Sequence, residues 1–169
     1  MPHPIDPFRT LGLPLSMNLT RAAVDAAYFA RVATLHPDSA TGGDGDSEAA
    51  MATLNQARAT LADPQKRAES LLTIQNPAMA RTEIPLDPSF LMEFMEVREA
   101  VDEAIQSRDG EALTRWSDWV VAQRADLLAS TSRAFASGDH RVVRSLLNQW
   151  RYVERLAETL RDAVGGGWR

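Results

Sequence analysis

Residues 21–38 read RAAVDAAYFARVATLHPD, a segment that combines helical periodicity with an abrupt stop. Four residues recur at intervals of four, four and three positions, which places them on one face of an α-helix: Val24, Tyr28, Val32 and Leu35. Thr20 is a suitable N-cap for this helix. The helix must end near His36, because Pro37 disfavours the α conformation in the residue before it. The segment therefore predicts a helix over 21–35, followed directly by His36-Pro37-Asp38.

The rest of the chain also has helical periodicity, and no segment shows the alternation typical of a strand. In the first half, the pattern predicts a short helix at 7–11, a loop at 39–46, a helix capped by Ser47 that runs through Leu61, and a short helix at 65–72. In the second half it predicts three long helices, over 88–107, 111–137 and 139–164. We therefore predict an all-α fold.

Proline marks the boundary between the two halves. The segment from Asn76 to Pro88 contains three prolines, Pro77, Pro85 and Pro88, and its helical periodicity is weak. We predict a first domain over residues 1–76, a linker over 77–87 and a three-helix domain over 88–169. The breaks within the second domain are short, so consecutive helices should run antiparallel.

Composition excludes several classes of function. The 169 residues carry a formal net charge of −5, whereas a nucleic-acid binder would show a basic face. There is no cysteine, and the three histidines are far apart, so we predict no disulfide, no metal site and no cofactor. No run of about 18 apolar residues could span a membrane. The N-terminus lacks a secretory pattern, and arginine far outnumbers lysine, so we predict a bacterial cytoplasmic protein.

The tripeptide His36-Pro37-Asp38 allows three interpretations. It is a simple helix stop if His36 is solvated and Asp38 lies in the loop. It is a catalytic dyad if a nucleophile is near, but no motif places a serine for that role. In the third interpretation, the proline-stiffened turn presents an imidazole and a carboxylate to a partner, where the carboxylate could pair with an arginine.

The position of the tripeptide between two helices resembles the J-domain, whose His-Pro-Asp motif stimulates ATP hydrolysis by DnaK-class chaperones. Further segments are similar to one J-protein family, HscB: DPFRTLGLP at 6–14, LNQARATLADPQKRAESLL at 54–72, FLMEFMEVREAVDE at 90–103 and WRYVERL at 150–156. The resemblance therefore covers both halves of the chain.

Membership of this family would imply an L-shaped protein with an N-terminal J-domain, an antiparallel helix pair with short flanking helices, and a C-terminal three-helix bundle. Its function would be that of a co-chaperone and not an enzyme. It would bind an IscU-type iron–sulfur scaffold protein, deliver it to a DnaK/HscA-class chaperone and stimulate that chaperone's ATPase, with ATP and the cluster held by the partners. One alternative is a J-protein with a different client. Another is a small helical hydrolase centred on His36.

For the chaperone contact, the resemblance implies the tripeptide together with nearby basic residues, which are Arg31, Arg58, Lys66 and Arg67. Two departures stand out. Ser39 replaces the basic residue that usually follows the tripeptide, and the predicted 21–35 helix has only Arg21 and Arg31 against Asp25, whereas J-domains tend to have a basic second helix. Arg31 also occupies a position where many J-domains have a core leucine.

The 88–107 helix has two distinct faces by periodicity alone. One face is apolar and should pack on the other two helices: Phe90, Phe94, Val97, Val101, Ala104 and Ile105. The remaining arc carries Leu91, Met92, Met95, Glu96, Glu99 and Glu103. Such exposed apolar residues suit a partner, because methionine adapts to a binding surface. Alternatively, Leu91 and Met92 pack against the first domain or the linker, or the arc is an ordinary solvated face. The resemblance assigns this arc, with Tyr152, to scaffold binding.

The last helix shows a similar division. Its predicted core stripe consists of Val142, Val143, Leu146, Trp150, Val153, Leu160 and Val164, with Tyr152 well off it. The aromatic residues of the middle helix, Trp116, Trp119 and Phe135, are predicted to be core and not a ligand site.

Overall fold

The computed structural model describes residues 6–35 and 44–165, except for the side chains of residues 44–46, and all regular structure in these ranges is α-helical. The helices are α1 Pro7–Leu11, α2 Arg21–Thr34, α3 Asp44–Ala62, α4 Pro64–Gln75, α5 Pro77–Ala80, α6 Pro88–Ser107, α7 Gly110–Ser137 and α8 His140–Gly165. The all-α prediction is confirmed.

The chain divides into two compact units between Ala80 and Arg81. Helices α1 to α5 belong to unit 1, and α6 to α8 belong to unit 2. The division falls within the predicted linker. Its first part forms α5, which packs on α4 and belongs to unit 1, and the rest belongs to unit 2. On the other side of the division, the backbone carbonyls of Thr82 and Ile84 accept hydrogen bonds from Arg144 (3.1 Å) and Asn148 (2.8 Å) of α8. These bonds hold the start of unit 2 against its last helix.

Aspartate and threonine caps begin most of the helices. Thr20 caps α2 as predicted, with its hydroxyl accepting from the Ala23 amide. Asp63 accepts from two amides at the start of α4, and Pro64 occupies the first turn, where its missing N–H costs nothing. The Ser47 cap is wrong, because α3 already begins at Asp44. Ser47 therefore lies inside the first turn of α3 and not at the N-cap position, which precedes the first helical residue.

The core of unit 1 forms around α3. Val24 of the predicted α2 stripe is fully buried, whereas Tyr28, Val32 and Leu35 are half-buried. Large side chains from α1, α3 and α4 complete this core: Phe8, Leu11, Leu54, Leu61, Leu71 and Leu72. The result is a helix pair, α2 and α3, held together by short flanking helices.

The core of unit 2 confirms the inward face of α6 and corrects that of α8. Phe94, Val97 and Val101 are buried, in line with their spacing. On α8, however, Val142 and Val164 are 44% and 58% exposed, so their assignment to the core was wrong. The buried stripe instead includes Leu147, Leu156 and Ala157. The middle-helix aromatics Trp116 and Trp119 pack against this core while half-buried, and the half-buried Phe135 lies edge-on to His140.

Candidate partner-binding surfaces

Helix α6 keeps three large apolar side chains in contact with solvent. Leu91 is 39% exposed, Met95 54% and Met92 67%. We call these three residues the outer face. These three residues can remain exposed because a different face of α6 packs in the core of unit 2. That inward face consists of Phe94, Val97, Val101 and Ala104, which are buried. A helix can bury one stripe in its own bundle and leave the remaining arc for a partner.

A row of carboxylates borders the outer face. Glu96, Glu99 and Glu103 are all exposed and recur at i, i+3 and i+7, so they lie along one side of α6. We call this row the glutamate ridge. Met92, four residues before Glu96, continues the same side toward the helix N-terminus. An exposed apolar side chain, Met92, is therefore followed along this side of α6 by a row of negative charges.

Helix α6 also forms a groove with α8, and two residues of the outer face, Leu91 and Met95, belong to it. The groove has a volume of about 420 Å³ and is lined by apolar side chains, Leu91, Phe94, Met95, Tyr152 and Leu156, and by polar ones, Arg98, Asp102, Arg155 and Thr159. We call it the α6–α8 groove. It divides the residues predicted for scaffold binding into two groups. Leu91, Met95 and Tyr152 line the groove, and the others lie on the outer side of α6.

Tyr152 is packed more firmly than its position off the core stripe suggested. It is half-buried, and its ring meets those of Phe94 and Phe90 edge-to-face, with centroids 5.4 and 6.4 Å apart. Edge-to-face pairs of this kind stabilise a fixed ring orientation. Tyr152 thus links the core to the groove and forms a rigid part of its wall.

Sequence reasoning missed the polar lining of the groove. Arg98 and Asp102 share the i, i+4, i+7, i+11 spacing of Leu91 and Met95, so the α6 pattern contained a signal for them. Arg155 and Thr159 lie on another helix. Their proximity to Leu91 becomes visible only when α6 and α8 are packed together.

The tripeptide predicted to contact a chaperone, His36-Pro37-Asp38, lies outside the described residues. Of the four basic residues predicted to assist it, Arg31 is exposed near the end of α2. Its guanidinium lies against Gly12, where a Cβ atom would come within 2.5 Å of Nη2. Gly12 also has a positive φ of 71°, so glycine suits this position in two ways.

Arg58 already has an intramolecular partner. Its Nε lies 2.8 Å from Asp25 Oδ1 across the α2–α3 pair, and its guanidinium stacks over Tyr28 at 4.9 Å. The hydrogen bond from Arg58, followed by a contact from Arg21, lowers the pKa of Asp25. Much of the positive charge of Arg58 is therefore offset within unit 1.

Lys66 and Arg67 differ sharply although they are adjacent. The Lys66 side chain is 67% exposed and 3.9 Å from Asp63. Arg67 is only 4% exposed, and its Nη1 donates to the carbonyls of Leu19 and Leu61, both at 2.9 Å. Burial also lowers the pKa of Arg67. The predicted chaperone contact of Arg67 is therefore corrected to a structural role.

Comparison with known proteins identifies the family. Residues 6–69 match the DnaJ domain, and residues 86–161 match the HSCB C-terminal oligomerisation domain. Over 164 residues the chain is 30% identical to the co-chaperone protein HscB homolog of Cupriavidus taiwanensis, covering 94% of this chain and 93% of the relative. The chain belongs to the HscB family of J-domain co-chaperones. The homolog from Burkholderia multivorans is 32% identical over 155 residues, or 89% of each chain.

Solved structures agree with this assignment to the HscB family. The chaperone HscB from Vibrio cholerae is 28% identical and superposes with a TM-score of 0.76, covering 95% of this chain and 98% of that one. The human co-chaperone HscB has a TM-score of 0.79 at 24% identity, covering 95% and 82% of the two chains, and supports the fold alone. Unit 1 is thus the J-domain and unit 2 the HscB C-terminal domain.

Two further findings concern membrane-spanning helices and metal sites. In the ranges 6–35 and 44–165, no helix is both long and apolar enough to cross a membrane. Within the same ranges, no three metal-ligating side chains are grouped so as to hold an ion.

Proposed function

We propose that this HscB-family co-chaperone binds an IscU-type iron–sulfur scaffold protein through unit 2. The observation that carries the proposal is the exposure of Leu91, Met92 and Met95 beside the glutamate ridge. Three apolar side chains on one short helical segment form a patch of the kind that marks interaction surfaces. Their neighbours suit a partner with an apolar patch next to basic residues.

The rigid groove wall supports the same proposal. Tyr152 is held by Phe90 and Phe94, so little side-chain freedom is lost when a partner packs against it. Met95, on the opposite wall, is flexible enough to adapt to the partner. Tyrosine is also enriched among the residues that contribute most of the binding energy of an interface.

We further propose that unit 1 contacts a DnaK/HscA-class chaperone through His36-Pro37-Asp38, assisted by Arg31, Arg58 and Lys66. The exposure of Arg31 and Lys66 supports their inclusion, and the burial of Arg67 removes it from the set. Because Arg58 is paired with Asp25, we expect electrostatic attraction to contribute less than in a strongly basic J-domain.

In this proposal the protein performs no covalent chemistry. It holds scaffold and chaperone together, which raises their effective concentration, and the tripeptide favours ATP hydrolysis and the tight-binding state of the chaperone. ATP and the iron–sulfur cluster belong to the partners. We place the protein in the cytoplasm of a bacterium.

The test combines binding with turnover. Full-length protein is titrated into a purified IscU-type scaffold by calorimetry, and ATP hydrolysis by a DnaK/HscA-class chaperone is measured with scaffold, co-chaperone or both. We expect a saturable complex and greater stimulation with both proteins than with either alone. Stimulation without scaffold binding would favour a J-protein that serves a different client.

A further inference from the structure

We propose that Arg155 gives the α6–α8 groove its charge specificity, and that the scaffold segment seated there presents a carboxylate beside an apolar side chain. This inference rests on the proposed scaffold binding and adds to it the chemistry of the segment that is recognised. It also assigns a role to a residue that the outer face and the glutamate ridge do not include.

The apolar part of the groove requires an apolar occupant. Leu91 and Met95 contribute from α6, and Tyr152 and Leu156 contribute from α8. The volume of about 420 Å³ lies within the range of pockets that bury small ligands and anchoring side chains. An aliphatic or aromatic side chain from the scaffold would cover these four residues and displace water from them.

The charges that line the groove do not cancel. Arg98 lies 3.9 Å from Asp102 on the same helix, so these two offset each other. Arg155 is exposed, its guanidinium lies 6.0 Å from the Tyr152 ring, and it forms no salt bridge with any residue in the described part of the chain. The groove therefore offers one uncompensated guanidinium at the edge of an apolar floor. A carboxylate is its natural partner, because guanidinium and carboxylate can form two parallel hydrogen bonds.

The glutamate ridge and Arg155 together would determine the orientation in which the scaffold binds. Negative charge runs along α6 at Glu96, Glu99 and Glu103, whereas the groove has positive charge at Arg155. A scaffold that presents an acidic residue to the groove and basic residues to the ridge fits in one orientation. In the reversed orientation like charges would meet, at a cost in affinity.

The experiment compares charge changes at two arginines of α8. Calorimetry measures binding of a purified IscU-type scaffold to full-length protein carrying Arg155→Glu, Arg155→Gln or Arg155→Lys, with Arg141→Glu as the matched control. Arg141 is also exposed and lies about 21 Å earlier along the same helix, since each residue advances it by about 1.5 Å. Both glutamate variants change the net charge equally, so general electrostatic effects appear in both.

We expect Arg155→Glu to weaken binding about tenfold or more and Arg155→Gln to weaken it less. Arg155→Lys should weaken it least of the three, because lysine keeps the charge but cannot form two parallel hydrogen bonds, and Arg141→Glu should stay within about threefold of the unmodified protein. The excess loss for Arg155→Glu over Arg155→Gln should shrink at high salt. Tryptophan fluorescence melts establish that each variant keeps unit 2 folded.

Two results would overturn the inference. Equal losses for Arg155→Glu and Arg141→Glu would mean that only net charge matters. Binding of Arg155→Glu as tight as that of Arg155→Gln would mean that no carboxylate faces this position. In either case the unmodified protein still binds the scaffold, which distinguishes the failure of this inference from failure of the proposed function, where the unmodified protein does not bind.

Discussion

Arg124 of α7 and Glu154 of α8 form a two-point salt bridge, with Nε 2.8 Å from Oε1 and Nη2 2.5 Å from Oε2. Trp150 donates its indole N–H to the same Oε1 at 3.0 Å. Both charged side chains are partly shielded from solvent. A charge-assisted pair of this geometry stabilises the packing of the two longest helices of unit 2.

This pair predicts how the stability of unit 2 depends on pH. Burial is the largest single effect and raises the pKa of Glu154. The hydrogen bonds from Arg124 and Trp150 and the positive charges of Arg124 and Arg161 together outweigh burial, so the pKa is lowered from its ordinary value of 4.5. The folded state therefore binds protons less readily than the unfolded state. The stabilisation is fully present above pH 4.5 and is lost as the pH falls through the folded-state pKa.

We therefore expect Glu154→Gln to lower the free energy of unfolding by about 1–3 kcal/mol at neutral pH, and by less in acid. Urea denaturation followed by tryptophan fluorescence measures this at pH values above and below the transition. Glu158→Gln, at an exposed position one turn later, is the control. A difference between unmodified protein and Glu154→Gln that does not change with pH would contradict the assignment.

Replacing Arg67 should lower the stability of unit 1 and leave that of unit 2 unchanged. Arg67→Met removes the donor to the carbonyls of Leu19 and Leu61 and leaves a half-buried and a buried carbonyl without that partner, at a cost of about 1–3 kcal/mol. All four tryptophans belong to unit 2, so fluorescence follows that unit, whereas far-UV circular dichroism follows both. We expect part of the dichroism transition to shift while the fluorescence transition stays unchanged.

Lys66→Met is the matched control for Arg67→Met, because it removes an adjacent but exposed charge. It should change stability by no more than about 0.5 kcal/mol. If the two variants were equally stable, the hydrogen bonds of Arg67 would contribute little, and its role in unit 1 would need another explanation.

Replacing His36 should remove stimulation of the chaperone without unfolding the protein. His36→Gln should abolish stimulation of the chaperone's ATPase, because His36 belongs to the proposed contact and follows Leu35, the last residue of the predicted α2 apolar stripe. Scaffold binding, measured by calorimetry, should be unchanged, since it belongs to unit 2. Normal stimulation by the variant, or unfolding of unit 1, would refute the J-domain role of the tripeptide.

Periodicity predicted the features that depend on a single helix. The burial of Phe94, Val97 and Val101 and the exposure of Leu91 and Met95 follow from the 3.6-residue repeat of α6. The same reasoning failed at Val142 and Val164, which lie at the two ends of α8. Val142 lies about 100° around α8 from Val143, which is fully buried, so it falls beside the buried stripe, and Val164 lies in the last turn of the helix.

Features that depend on two or more segments could not be predicted. Arg67 looks like a surface arginine in the sequence, and its burial follows from the positions of Leu19 and Leu61, 48 and 6 residues away. The α6–α8 groove brings Leu91 and Arg155 together from different helices. One sequence without packing information does not determine such pairs. The family resemblance implied a scaffold contact at Tyr152, which stays a prediction, and did not explain the rigidity of its ring.

The outer face of α6 provides the most direct test of the proposed client. Replacing Leu91, Met92 and Met95 together by alanine should weaken scaffold binding at least about tenfold, or about 1.4 kcal/mol, because apolar anchors contribute much of the energy of an interface. Monomer stability should stay within about 1 kcal/mol, since these side chains are already exposed and alanine favours the helix. Val142→Ala, which truncates an exposed apolar side chain on α8, is the control for a general loss of surface hydrophobicity. A variant that melts several kcal/mol lower would place these residues in the core, and a stable variant with normal binding would show that the scaffold contacts another surface.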